Sequence, residues 1–291
     1  MSEPDFLSTS RIAIAGLGIM GGSLALALRD SCRSLLAYDP DPDTISLALH
    51  NRIVDHASSI PAEIFPQADA VILAAPLIAI LDLIQDLPNL HPGSPIVFDI
   101  GSSKVEVVHA LDGLPARFDP FGGHPMCGKE IAGLENADPS IFQGSIFAFT
   151  ALQRTSRKAQ MFANQLALAL GSQALWIDPQ THDRWTAATS HLPYLVAAAL
   201  SSATPIESAP LVGPGFRSTT RVAATPASTM LDVLVTNREF ILESLNEFRQ
   251  TLDTLEGYLS KGDYQSLKTD LDLSASHQRE LLSGSESVRA A

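Results

Sequence analysis

Two kinds of hydrophobic pattern divide this chain near residue 178. Before that point, short continuous apolar runs alternate with amphipathic segments, which is typical of a parallel sheet covered by helices. The apolar runs predict strands at 11–15, 34–38, 70–74, 95–99, 117–121, 145–150 and 173–177. The amphipathic segments predict helices at 19–30, 41–50, 77–86, 103–111 and 156–170.

After residue 178 the pattern predicts helices only. These are expected at 180–204, 206–213, 226–236 and 237–259. Residues 192–200 are apolar nearly all round, so their helix requires burial on most sides, either between two subunits or at the centre of a monomeric bundle. We therefore expect an α/β domain at 1–178, an all-helical domain at 179–283 and a disordered tail at 284–291.

A glycine-rich turn follows the first predicted strand and is the strongest local signal in the chain. Gly16, Gly18 and Gly21 form the pattern G-x-G-x-x-G, with Ile19 and Met20 inside it. In such a turn the first glycine allows the sharp bend, the second lets a pyrophosphate approach the backbone, and the third packs the helix against the strand. The motif predicts a Rossmann-type dinucleotide-binding domain.

An acidic residue ends the second predicted strand. Asp39 lies at about the distance from the turn at which a carboxylate accepts hydrogen bonds from the adenosine ribose. No Lys or Arg lies between Arg33 and Arg52 to neutralise a 2′-phosphate, which favours NAD over NADP. Asp39 is also compatible with a turn or helix N-cap residue. Ala75 and Pro76 follow at the end of the strand predicted at 70–74, and we expect them to lie beside the cofactor.

Composition and charge exclude several classes of protein. With 45% hydrophobic residues in 291, the chain can bury a large core, yet it has no uninterrupted apolar stretch of about 18 residues. Its net charge of −13 would repel nucleic acid and anionic membranes. The N-terminus lacks the pattern of a secretory signal, so we expect a cytoplasmic protein. The two cysteines lack paired metal-ligand spacing, so we expect no metal site.

Three polar residues in apolar or glycine-rich surroundings are candidates for catalysis. Ser102 and His124 each follow a predicted strand, at the sheet edge where doubly wound folds bind ligands. A neutral imidazole at that edge can accept a proton near neutral pH. Ser102 is equally compatible with a helix N-cap beside a solvated Lys104. His191, at the start of the apolar helix, is compatible with a buried structural histidine.

Five motifs lie in order along the chain: GLGIMGGS at 16–23, DIGSSK at 99–104, GHPMCG at 123–128, SHLP at 190–193 and GFRSTTRV at 215–222. In their order and approximate separations they resemble one enzyme family, the prephenate and arogenate dehydrogenases of tyrosine biosynthesis. The resemblance extends from about residue 10 to about residue 262. It implies oxidative decarboxylation of prephenate to 4-hydroxyphenylpyruvate with transfer of a hydride to NAD.

The resemblance also implies roles for individual residues. His124 is similar to the catalytic histidine that hydrogen-bonds the substrate ring hydroxyl, and Ser102 to the serine that orients it. His191 is similar to a second active-site histidine, and Arg221 to an arginine that binds a substrate carboxylate. Glu130 matches an acid that gates the pocket in some members.

Several alternatives stay open from the sequence. Where such members have an aspartate to pair with the gating acid, this chain has Ser218, which puts a charged gate in doubt. Arg217 is a second cation that could hold the substrate or lie in solvent. Arogenate, or both compounds, could be the substrate. A β-hydroxyacid dehydrogenase would place a catalytic lysine in the helical domain, and no lysine lies between Lys158 and Lys261, which disfavours that class. A non-catalytic NAD-sensing protein would not need His124, Ser102 and Arg221 together. We expect a homodimer formed through the helical domain.

Overall fold

The computed structural model describes residues 4–129 and 131–290, and a single eight-stranded sheet dominates the first part of the chain. The strands are β1 (Arg11–Ala15), β2 (Ser34–Tyr38), β3 (His56–Ser58), β4 (Ala70–Leu73), β5 (Ile96–Asp99), β6 (Asp119–Pro125), β7 (Ile146–Ala151) and β8 (Gln173–Trp176). Their spatial order is β3-β2-β1-β4-β5-β6-β7-β8. Chain order therefore reverses beside β1, which creates the crevice in which doubly wound sheets bind ligands.

The expectation of a parallel sheet holds except at one pair of strands. The strands β1 to β6 run parallel, but β7 is antiparallel to β6, with His124 opposite Ala148. A parallel return needs a crossover connection, usually a helix. In the described part of the link between these strands only two short 3₁₀ turns occur, Leu134–Asn136 and Pro139–Phe142. The prediction also omitted β3, whose three residues form a short edge strand without an apolar run.

Thirteen α-helices lie within the described residues. They are α1 (Phe6–Thr9), α2 (Ile19–Leu28), α3 (Pro42–His50), α4 (Pro61–Ile64), α5 (Leu77–Leu90), α6 (Val105–Asp112), α7 (Arg157–Ala169), α8 (Pro179–Thr186), α9 (Leu192–Ala203), α10 (Pro214–Thr220), α11 (Ala227–Thr236), α12 (Arg238–Lys261) and α13 (Tyr264–Ala290). A π-helical turn, Ala187–His191, joins α8 to α9, and a 3₁₀ helix covers Ile206–Leu211. The predicted helices are confirmed, but α1, α4, α10 and α13 were not predicted.

The hydrophobic core lies on both faces of the sheet. The strands alternate their side chains between two clusters, so that Ile12 and Ile14 of β1 join one cluster and Ala13 and Ala15 join the other. This alternation explains the continuous apolar runs in the sequence, because a strand covered on both faces has no polar side. The α/β fold class with a following helical region is thereby confirmed.

The chain divides into two compact units between Arg238 and Glu239, inside α12. The helices α8 to α11 therefore belong to the same unit as the sheet. Among the described residues, no helix is both long and apolar enough to cross a membrane. The domain limits 1–178 and 179–283, and the tail at 284–291, stay predictions.

Candidate functional site

The glycine-rich turn has the geometry that a dinucleotide requires. Gly16 has φ of +102°, and a Cβ there would lie 2.6 Å from the carbonyl oxygen of Ala74, so only glycine fits. A Cβ on Gly21 would overlap the carbonyl oxygen of Gly16. A Cβ on Gly18, at the N-terminus of α2, would meet nothing within 4 Å. Backbone alone borders open space at Gly18, as close approach of a pyrophosphate requires.

Asp39 is bonded to this turn rather than capping a helix. Its carboxylate accepts from the backbone N–H of Leu17 at 2.7 Å and from that of Asp41 at 3.0 Å. The N-cap of α3 is Asp41, whose own carboxylate accepts from Asp43 and Thr44. The helix-cap alternative for Asp39 is thus excluded. Its bond to Leu17 holds the acid beside the glycine-rich turn, where a ribose contact is possible.

The loop after β5 is held by a fully buried ion pair. Lys104 Nζ donates to Asp99 Oδ2 and, at 2.7 Å, to the carbonyl oxygen of Gly123; both charged side chains have 0% exposure. Burial raises the pKa of Asp99 and lowers that of Lys104, against the mutual attraction of the pair. Ser102 lies half-buried between these two residues. The alternative of a solvated Lys104 is excluded, and the N-cap of α6 is Lys104 rather than Ser102.

The same ion pair connects the Ser102 loop to the strand that carries His124. Asp99 also accepts from the backbone N–H of Gly101 at 2.7 Å and from that of Gly123 at 3.3 Å. A Cβ on Gly123 would lie 2.7 Å from the carbonyl oxygen of Asp99. The glycine that precedes His124 is therefore required for the close packing of β6 against β5.

His124 is hydrogen-bonded to a histidine on α8, which is in turn hydrogen-bonded to an aspartate on the same helix. Its Nδ1 lies 3.0 Å from His182 Nε2, and His182 Nδ1 lies 2.7 Å from Asp183 Oδ1. Asp183 also accepts from the backbone N–H of Lys104 at 2.7 Å and of Val105 at 2.8 Å, at the N-terminus of α6. The Asp183 carboxylate thus joins α6 to α8 and is the final acceptor in the hydrogen-bonded series that begins at His124.

The bonding partners determine which nitrogen of each ring carries the proton. A singly protonated His182 that donates from Nδ1 to the Asp183 carboxylate accepts at Nε2. His124 must then donate from Nδ1, which leaves the lone pair of its Nε2 to accept a proton. Burial holds the pKa of His124 well below its usual range, and His182, Lys104 and His191 act in the same direction. His124 is consequently a neutral base at pH 7.

His191 lies on the π-helical turn and is buried. Its Nδ1 is 3.0 Å from Asn237 Nδ2, which also donates to the main-chain carbonyl of Asp183 at 2.8 Å. Burial lowers the pKa of His191 to about 4, although Asp183 acts in the opposite direction. Both histidines singled out in the sequence are therefore linked to Asp183.

The positions of the other candidate residues are given by the elements that carry them. Ile19 and Met20 begin α2, Ala75 follows β4, and exposed Pro76 is the N-cap of α5. Arg221 is exposed where α10 ends. Two further residues complete the set: Arg217 is exposed on α10, and Glu130 lies outside the described residues.

Sequence reasoning missed His182, Asp183 and Asn237, and assigned no role to Asp99 or Lys104. Asp99 and Lys104 lie inside the motif at 99–104, but the sequence did not indicate that both side chains are buried. The adjacent His-Asp pair at 182–183 follows a predicted helix start, a position that usually carries solvated residues. Only its buried place in the structure distinguishes it.

Comparison with known proteins gives one consistent family. Residues 24–174 match the family model of the prephenate dehydrogenase nucleotide-binding domain, and residues 178–273 match that of the prephenate dehydrogenase dimerization domain. The prephenate dehydrogenase of Bacillus subtilis is 30% identical over 269 residues, covering 88% of this chain and 72% of the relative.

Two solved structures are similar over nearly their whole length. Prephenate dehydrogenase from A. aeolicus, in complex with hydroxyphenyl propionate and NAD+, superposes with a TM-score of 0.86 at 26% identity, covering 95% of this chain and 99% of the other. Synechocystis arogenate dehydrogenase gives a TM-score of 0.81 at 25% identity, covering 93% and 99%.

Proposed function

Since this chain belongs to the prephenate dehydrogenase family, we propose that it oxidises and decarboxylates prephenate to 4-hydroxyphenylpyruvate with NAD as cofactor. The observation that carries the proposal is the hydrogen-bonded chain from Asp183 through His182 to His124. It leaves Nε2 of His124 as a proton acceptor on β6, at the same sheet edge as the glycine-rich turn.

The residues around the glycine-rich turn suit NAD. Gly16, Gly18 and Gly21 leave room for the pyrophosphate at the N-terminus of α2, and Ile19 and Met20 would contact it from the first helical turn. Asp39 would accept from the ribose hydroxyls and repel a 2′-phosphate, whereas Ala75 and Pro76 would border the nicotinamide side. When bound, NAD accepts the hydride that leaves the substrate.

The base on β6 accounts for the substrate chemistry. Nε2 of His124 accepts the proton of the ring hydroxyl as the carbon–hydrogen bond at the same ring carbon breaks. Electrons of the O–H bond form the new carbonyl as the hydride leaves. The electron pair of the bond to the ring carboxylate then moves into the ring as carbon dioxide leaves, and the carbonyl oxygen takes a proton back to become the phenol hydroxyl. The ring becomes aromatic, which drives the reaction.

Other residues hold the substrate in this proposal. Ser102 lies in the loop beside β6 and would orient the hydroxyl toward His124. A planar guanidinium such as Arg221 would anchor a carboxylate of the dianion, which the negative protein as a whole does not attract. His191 would be a second contact, and a gating role for Glu130 stays a prediction.

A second substrate is supported by a specific observation. The structural match to Synechocystis arogenate dehydrogenase covers 93% of this chain, against 95% for prephenate dehydrogenase from A. aeolicus. Arogenate has an amino group where prephenate has a keto group, so the chemistry at the ring is the same for both. Activity with arogenate, alone or together with prephenate, is therefore the alternative.

The assembly in this proposal is a homodimer formed through the helical part of the chain. The match of residues 178–273 to a dimerization domain supports it. Apolar side chains support it as well: Leu211 is 87% exposed and Ile206 83% exposed within one copy. A small-molecule substrate, without nucleic acid or membrane, and a cytoplasmic location complete the proposal.

The decisive experiment offers prephenate and arogenate side by side with NAD and follows reduced cofactor and aromatic product. The wild type should turn over prephenate, and His124→Asn should lose activity by about 10²–10⁴-fold while still binding NAD. His109→Asn, the same change at an exposed position on α6, is the control and should leave activity unchanged. Absence of turnover with both compounds would refute the proposal, and full activity of His124→Asn would refute the base.

A further inference from the structure

Asp183 makes two kinds of hydrogen bond, and they lead to two different histidines. Its side-chain carboxylate accepts from His182 Nδ1 at 2.7 Å, and His182 in turn bonds His124. Its main-chain carbonyl accepts from Asn237 Nδ2 at 2.8 Å, and Asn237 in turn bonds His191. All of these residues except His124 are at most 2% exposed. Water therefore has little access to compete with the bonds.

The orientation of the Asn237 amide follows from its partner. A main-chain carbonyl can only accept, so the amide atom facing Asp183 O must be the nitrogen. The same nitrogen lies 3.0 Å from His191 Nδ1. Because an amide nitrogen can only donate, Nδ1 of His191 must accept and carries no proton. The proton of the neutral ring is therefore on Nε2.

We infer that Asn237 is a positioning residue that fixes His191 as an Nε2–H donor, so that the two active-site histidines have opposite hydrogen-bonding character. His124 offers a lone pair at Nε2, and His191 offers an N–H at Nε2. The first suits a group that loses a proton, and the second suits an oxygen that accepts a hydrogen bond. Asp183 determines the hydrogen-bonding character of both histidines: its carboxylate acts on His124 through His182, and its main-chain carbonyl acts on His191 through Asn237.

The inference specifies what His191 can bind. A neutral Nε2–H donates to a carboxylate or keto oxygen and has no lone pair at that nitrogen for an ammonium group. If the proposed function is right, His191 therefore contacts an oxygen of the substrate. The tautomer itself does not depend on that assumption, because it follows from the bonds to Asn237 and Asp183.

Nitrogen-15 NMR of the histidine rings in the full chain tests the tautomer without substrate. At pH 7 the wild-type His191 should show a proton on Nε2 and none on Nδ1. Asn237→Asp places an acceptor opposite Nδ1, and the spectrum should then show Nδ1 protonated. Asn237→Leu removes any partner, and the two tautomers should mix. A wild-type proton on Nδ1, or an unchanged tautomer in Asn237→Leu, would overturn the inference.

Kinetics with prephenate provide a second measurement. Asn237→Asp should raise KM about tenfold, which is the loss of one hydrogen bond of about 1.4 kcal/mol, and should change kcat less. Asn89→Asp, the same change at an exposed position on α5, should leave both unchanged. If the tautomer of His191 has switched in Asn237→Asp but KM is unchanged, His191 does not contact the substrate. No turnover in the wild type would instead count against the proposed function and leave the NMR result intact.

Discussion

Replacing Lys104 by methionine tests whether the buried ion pair holds the loops of the candidate site. Its Nζ is bonded to Asp99 and lies 2.7 Å from the carbonyl oxygen of Gly123, and neither charged side chain is exposed. Methionine fills similar volume but offers no charge and no donor. The Asp99 carboxylate then keeps only its bonds from the backbone N–H groups of Gly101 and Gly123.

The expected loss follows from this burial. Removing one partner of a buried ion pair costs about 3–5 kcal/mol, because the remaining charge stays buried without compensation. At about 2–4 °C per kcal/mol for a unit of this size, Lys104→Met should lower Tm by about 6–20 °C. Lys129→Met is the matched control, since its pair with Asp138 has side chains 36% exposed, and it should cost at most about 1 kcal/mol.

The loss should depend on pH in a definite direction. Burial raises the pKa of Asp99, and in the variant Lys104 no longer opposes that shift. The folded state then binds a proton more tightly than the unfolded state does, so the stability of the variant falls as pH rises through the acidic range. The difference from wild type should therefore be smaller in acid than at pH 7.

Urea denaturation of the wild type, Lys104→Met, Asp99→Asn and the double variant completes the test. The double variant leaves no uncompensated charge and should be more stable than the sum of the single losses by about 1–3 kcal/mol. A loss in Lys104→Met no greater than in Lys129→Met, or strictly additive losses, would refute the reasoning. NAD binding by the double variant, measured separately, shows whether the glycine-rich turn is intact.

Four further predictions concern the candidate site. His182→Phe removes the acceptor for His124 Nδ1 and should lower kcat about 10–100-fold with little change in KM. A kcat equal to that of the wild type would show that the bond from His124 to His182 does not support catalysis. Since the pKa of His124 lies well below its usual value, wild-type kcat/KM should stay constant as the pH falls through 6.5 and decline only in more acidic solution, and a profile that falls at pH 6.5 would contradict a lowered pKa. Gly21→Ala should reduce stability by about 1–3 kcal/mol and weaken NAD binding, whereas Gly18→Ala should weaken NAD binding only, as calorimetry and thermal unfolding would show. Asp39→Ser should reduce the preference for NAD over NADP, and an unchanged ratio of kcat/KM values would place the ribose contact elsewhere.

The sequence alone determined the elements whose signals are local. The strands β1 and β2, the glycine-rich turn between β1 and α2, and the change to helices after residue 178 all depend on residues within a few positions of one another. Continuous apolar runs arise because the sheet is covered on both faces, and the turn needs glycine because Gly16 has a positive φ. The strand β7 was predicted, but its antiparallel direction was not, because an apolar run carries no information about strand direction.

Tertiary structure alone decided how the site is connected. Asp183 lies 79 positions from Lys104 and 54 from Asn237, so no local pattern relates them. His182 is 58 positions from His124, yet their ring nitrogens are 3.0 Å apart. Whether an aspartate, a lysine or a histidine is solvated or catalytic depends on burial and on bonding partners, which exist only after the chain has folded. The protonation of both imidazoles of the candidate site is therefore a property of the fold rather than of any motif.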